Sequence, residues 1–154
     1  MSAEATAIDP AVVEQMVREA IPHLKELGAE LVAIERNAVT IRLDYQRRLV
    51  GNPESGVLHG GLITTLIDTV CGIAVFTALP KITPIATLDL RIDYLKPATP
   101  EKALSARGEC YKVTRNVAFA RAIAYHDDPD DPIANSVSTF MLDTARGRPR
   151  GKRA

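Results

Sequence analysis

GVLHGGLITTLIDTVCGIAVFTALP, residues 56–80, is the stretch on which the fold turns. Apart from small hydroxyls, its polar side chains are one imidazole, His59, and one carboxylate, Asp68. The segment is about long enough to cross a membrane. An acid near its centre, however, costs roughly 2.5–3.5 kcal/mol on insertion scales. His59 sits beside the Gly60-Gly61 pair, and the sequence that follows alternates like strand. A helix apolar all round is equally suited to the interior of a soluble protein. The buried-helix reading is the one adopted, with no membrane partner.

Working outward, 154 residues form one domain by the usual length prior, with 25% charged and 46% hydrophobic residues, an ordinary globular composition. A formal net charge of zero supplies no field toward nucleic acid or anionic lipid. The opening MSAEATAIDP lacks a basic n-region and an apolar h-region, so secretion is not expected. Cys71 and Cys110 form no CxxC pair and read as buried thiols in a reducing cytoplasm. No HExxH, GxSxG, Walker A or GxGxxG pattern is present, which argues against a zinc protease, a serine hydrolase or a nucleotide-cofactor enzyme.

Residues 9–27 have helical apolar spacing at Val13, Val17, Ile21, Leu24 and Leu27, with Asp9 as cap and a kink or break at Pro22. ELVAIE and VTIRLD read as short strands, and the polar run 45–55 as a loop into the apolar helix. After Pro84 the period becomes two. In ATLDLRIDYL, Leu88, Leu90, Ile92 and Tyr94 form the buried row, which places Thr87 on the opposite, wet face. Three further strands run to about residue 142. Helix, two strands, long apolar helix, four strands is an α+β order in which an antiparallel sheet must wrap the apolar helix. The expected division is an N-terminal amphipathic helix over 1–28, the α+β domain over 29–143, and a basic, disordered tail over 144–154.

GVLHGGLITTLID followed by ATLDLRIDYLKPATP closely resembles the hotdog-fold acyl-CoA thioesterases of the phenylacetic-acid-degradation type, over about residues 30–142. The resemblance implies a hotdog fold, hydrolysis of acyl-CoA to free acid and CoA, and a homodimer at minimum, with a tetramer left open. It implies no cofactor beyond the CoA carried by the substrate. Asp68 would be the general base or nucleophile, and the Gly60 N–H would sit in the oxyanion hole. His59 would shape the loop and contact the thioester region, and Thr87 matches a water-orienting hydroxyl. A loop asparagine that contacts the thioester oxygen in relatives is replaced here by Pro53, with Asn52 one residue further from the motif.

The residues support part of this by themselves. A helix N-terminus offers free N–H groups and partial positive charge, and Gly60 and Gly61 let a substrate carbonyl approach closely. A lone carboxylate in a dry helix is costly unless satisfied by backbone, paired, for instance with an arginine across an interface, or functional. Asp68 follows Gly60 by eight residues, roughly 12 Å along a helix. One helix cannot present both to one carbonyl carbon, whereas two antiparallel copies about a twofold axis can. His59 reads more readily as a loop-fixing side chain than as a base, Asn52 as a turn residue, and Cys71 as core. Arg47, Arg48, Lys96 and Lys112 are candidate contacts for CoA phosphates. A hotdog module that binds acyl-CoA without cleaving it, and a hydratase or dehydratase on the same fold, are the rival readings.

Overall fold

The computed structural model describes residues 8–143; the basic tail and the first seven residues lie outside the described residues. Asp9 caps helix α1 (Pro10–Ala20), accepting the Ala11 N–H at 2.9 Å. Pro22 has no N–H with which to continue that helix, so a second one, α2 (Pro22–Leu27), starts there. Val13, Val17 and Leu24 from this pair are buried in the core.

Strands β1 (Ala29–Glu35) and β2 (Ala38–Leu43) form a hairpin. A single 3-10 turn, Arg47–Leu49, leads to the central helix α3 (Gly60–Ala78). Four strands follow: β3 (Ile85–Tyr94), β4 (Leu104–Val113), β5 (Val117–Tyr125) and β6 (Ala134–Leu142). All pair antiparallel in one sheet of order β1-β2-β4-β5-β6-β3, which leaves β1 and β3 at the edges. The sheet curls around α3, whose Leu66, Ile67, Val70, Cys71 and Ala74 are fully buried. This is the hotdog arrangement, and a helix long and apolar enough to span a bilayer has its apolar side chains covered by strands instead.

Small side chains allow the curl. Ala118, Ala120, Ala122 and Ala124 alternate along the buried face of β5. On β4, a Cβ at Gly108 would lie 2.6 Å from the carbonyl carbon and oxygen of Val70, so only glycine permits this approach of strand to helix.

The buried row expected on β3 needs correcting. The β3–β6 register slips between Thr87 and Asp89, so Leu88 is an extra, bulged residue, 52% exposed. The bulge resets the alternation. Thr87, Leu90, Ile92 and Tyr94 lie opposite Phe140, Ser138, Ser136 and Ala134, all buried residues of β6. Thr87 therefore faces the helix with the others rather than away from them.

One stripe of α3 is only partly covered by the described residues. Gly61, Thr65, Asp68, Thr69 and Gly72 share a face, and none is fully buried. Thr87, on the adjoining edge strand, reaches Asp68 on this stripe.

Candidate active site

The loop before α3 is closed by its own main chain. His59 N–H donates to Leu49 O at 3.0 Å, Gly51 N–H to Val57 O at 2.8 Å, and Val50 bridges Leu58. This delivers His59 as the helix N-cap, with Nδ1 accepting the Gly61 N–H at 2.9 Å. Histidine is an uncommon cap; here the ring nitrogen does the work usually done by a serine or aspartate oxygen. With Nδ1 accepting, the neutral ring carries its hydrogen on Nε2. His59 thus ties the start of α3 to its own ring.

The two glycines have different explanations. A Cβ at Gly61 would fall 2.8 Å from His59 Nδ1, so the cap itself requires glycine there. A Cβ at Gly60 would meet nothing closer than the Tyr94 ring at 3.7 Å, an ordinary contact. Packing within the chain does not require glycine at 60. The Gly60 N–H also makes no hydrogen bond within the described residues, while its neighbours Gly61 N–H and Leu62 N–H are both taken. The helix start therefore presents one unengaged donor beside a missing side chain.

Asp68 lies two turns further along, half-buried. Its Oδ1 accepts the Thr87 hydroxyl hydrogen at 3.0 Å. Among the described residues no basic side chain pairs with it. Thr87 and Asp68 are brought together; Gly60 and Asp68 remain roughly 12 Å apart on one helix.

Asn52 lies in the turn leading to His59. Its Oδ1 accepts the N–H groups of Glu54 (2.9 Å) and Ser55 (3.3 Å), an Asx turn that leaves only the amide NH₂ uncommitted. Two clefts flank the helix start. One, about 440 Å³, is walled by Val57, Gly60, Ile63, Tyr94 and Leu95 with Lys96 at its lining. The other, about 370 Å³, is lined by Arg48, Val50, His59, Gly61 and Thr65. Lys112 lines neither cleft, and Arg47 donates to Pro53 O.

Cys71, one turn beyond Asp68, is fully buried. Burial pushes its thiol up to about 11, against the opposing pull of the Ser138 and Ser136 hydroxyls. A thiol so held is no nucleophile near neutral pH.

Two residues of the site region were not singled out in the sequence. Gly108 has a readable signal, since a glycine inside a strand pattern marks close backbone approach. Tyr94 carries no such signal: it lies 34 residues after Gly60, and only the folded sheet brings its hydroxyl to the helix start.

The chain is similar to known proteins over most of its length. The family described as the thioesterase superfamily matches residues 55–133. The medium/long-chain acyl-CoA thioesterase YigI of Escherichia coli K12 is 29% identical over 144 residues, covering 85% of this chain and 92% of that protein. A crystal structure of a Pseudomonas aeruginosa protein is 47% identical with a TM-score of 0.76, covering 86% of this chain and 97% of that one. A phenylacetic acid degradation-related protein of Ralstonia eutropha JMP134 has the same fold at 22% identity and TM-score 0.71, over 84% of this chain and 98% of that one.

Proposed function

The chain belongs to the thioesterase superfamily, and from that premise we propose that it hydrolyses acyl-CoA thioesters to free acid and CoA. The relative YigI, named for medium- and long-chain acyl-CoA, makes that chain-length class the first to test. The observation that carries the reading is the Gly60 N–H at the start of α3, unengaged among the described residues, with room left beside it. A developing oxyanion is stabilised most by a donor that is already aimed and loses no other bond on the way.

Asp68 is the general base. Thr87 holds Oδ1, and Oδ2 takes a proton from water as the water oxygen attacks the thioester carbon. The tetrahedral oxyanion is held by the Gly60 N–H. When it collapses, the C–S bond breaks and the CoA sulfur leaves with the proton that Asp68 had accepted. Thr87 can donate to Asp68 and still accept from that water, because a hydroxyl has both a hydrogen and lone pairs. No cofactor is called for beyond the CoA of the substrate. Arg48 and Lys96, at the linings of the two clefts, are the candidate cations for its phosphates.

The site is composite. Gly60 and Asp68 are too far apart on one helix, so the donor comes from one copy and the carboxylate from the other. The partly covered stripe of α3 and the β3 edge beside it, unpaired among the described residues, support a homodimer formed there. The two free cysteines, both buried, fit a cytoplasmic enzyme.

Gly60→Pro tests the reading. Proline is well tolerated at the first position of a helix, and His59 already has the extended backbone (φ −64°, ψ 132°) that a following proline prefers. The substitution removes the N–H and little else. Thiol release from decanoyl-CoA should fall by about 10²–10³ in kcat with the fold intact. Wild-type kcat in a folded Gly60→Pro protein overturns the oxyanion role.

A further inference from the structure

Since the Gly60 N–H has no acceptor among the described residues, its direction is set by the peptide planes on either side. On the preceding side, His59 N–H donates to Leu49 O at 3.0 Å and His59 O accepts from Leu62 N–H at 2.9 Å. On the following side, Gly61 N–H is held by His59 Nδ1. The remaining group of that second plane, the Gly60 carbonyl, is met from a different element. Tyr94, the last residue of β3, places its hydroxyl 3.0 Å from Gly60 O and 2.7 Å from Thr64 Oγ1. Thr64 Oγ1 lies 3.3 Å from the same carbonyl. Each hydroxyl has one hydrogen. The two shorter contacts are satisfied together when Thr64 donates to Tyr94 and Tyr94 donates to Gly60 O.

We infer that Tyr94 is a positioning residue for hydrolysis, its hydroxyl locking the Gly60 carbonyl so that the neighbouring N–H keeps its aim. The inference rests on the reading of Gly60 as oxyanion donor. A glycine at a helix start has the widest backbone freedom of any residue, so an outside clamp has most effect there. The extra bond is not needed to satisfy the carbonyl, because in a regular helix the N–H four residues on already does so. Nor is the ring a core element, since Tyr94 is 51% exposed. The engaged part is the hydroxyl. Tying it to β3 makes the geometry of the helix start depend on the same edge strand that supplies Thr87 to Asp68.

The experiment is a double-mutant cycle on decanoyl-CoA hydrolysis, with Tyr94→Phe made in the wild-type and Gly60→Pro backgrounds. Gly60→Ala replaces the second background where Gly60→Pro leaves too little activity to time. In the wild type, Tyr94→Phe should lower kcat about tenfold with KM within about twofold, as loss of a transition-state interaction does. In the Gly60 background it should have no further effect, because the donor it aims is gone. Unchanged kcat for Tyr94→Phe, an equal loss in both backgrounds, or loss of the folded far-UV spectrum each overturns the positioning role. Wild-type turnover for Gly60→Pro instead overturns the Gly60 reading, and the two failures are told apart by which variant stays active.

Discussion

Thr87 donates its hydroxyl hydrogen to Asp68 Oδ1 across 3.0 Å, although simple alternation along its strand turns it away from the helix. The Leu88 bulge reverses that alternation, and a β-branched strand former becomes the described contact of the lone carboxylate on α3.

Asp68→Asn should lower kcat for acyl-CoA hydrolysis by about 10²–10⁴ and leave the melting temperature close to wild type, since the half-buried site bonds an amide oxygen equally well. Thr87→Val should lower kcat by a smaller factor, about tenfold, with KM little changed. Steady-state kinetics of the pair decide the matter. Full turnover in Asp68→Asn removes it from the chemistry, and full turnover in Thr87→Val assigns that residue to the sheet alone.

Co-expressing Asp68→Ala with Gly60→Pro tests the shared site. Random pairing makes half the dimers mixed, and each mixed dimer holds one site with both defects and one with neither. About a quarter of wild-type activity should return. Native mass spectrometry establishes that mixed dimers formed. Activity no higher than that of either parent would mean that each site is built within one chain.

Gly108→Ala should be markedly destabilising, by about 3 kcal/mol or more, because the new methyl meets the Val70 main chain rather than a movable side chain. A lowered urea midpoint at unchanged m-value is the expected readout. An alanine variant as stable as wild type would mean that β4 can draw back from the helix without penalty.

Alkaline stability should depend on Cys71. Its thiol titrates near 11 when folded against 9.0 as the reference value, so above pH 9 the unfolded chain binds fewer protons than the native one. Stability is complete below that point and declines as pH rises toward 11, by a loss on the order of 2 kcal/mol. Cys71→Ala should flatten this decline in urea titrations at pH 8 and 10.5. An identical decline in the variant would assign it to other groups.

Much of the local structure of the candidate site was legible in sequence because it is local. A histidine, two glycines and an acid within ten residues of an apolar run specify a capped helix start and a carboxylate two turns on. The helix break at Pro22 and the succession of helices and strands along the chain were readable for the same reason, from proline chemistry and from period. The face of Thr87 was not. Leu88 is an ordinary strand former, and a bulge made from it leaves no mark in the alternation. Tyr94 was hidden differently, since its residue type suits any strand and only long-range pairing shows what its hydroxyl meets.

Association through the outer edge of β3 would tie this fold to mass action. A ten-residue strand whose outer side is unpaired among the described residues can accept an extended segment that fits. Where the segment is the same strand of a second molecule, folding and association become one reaction. Dilution then erodes stability and turnover together, and melting temperature climbs with protein concentration.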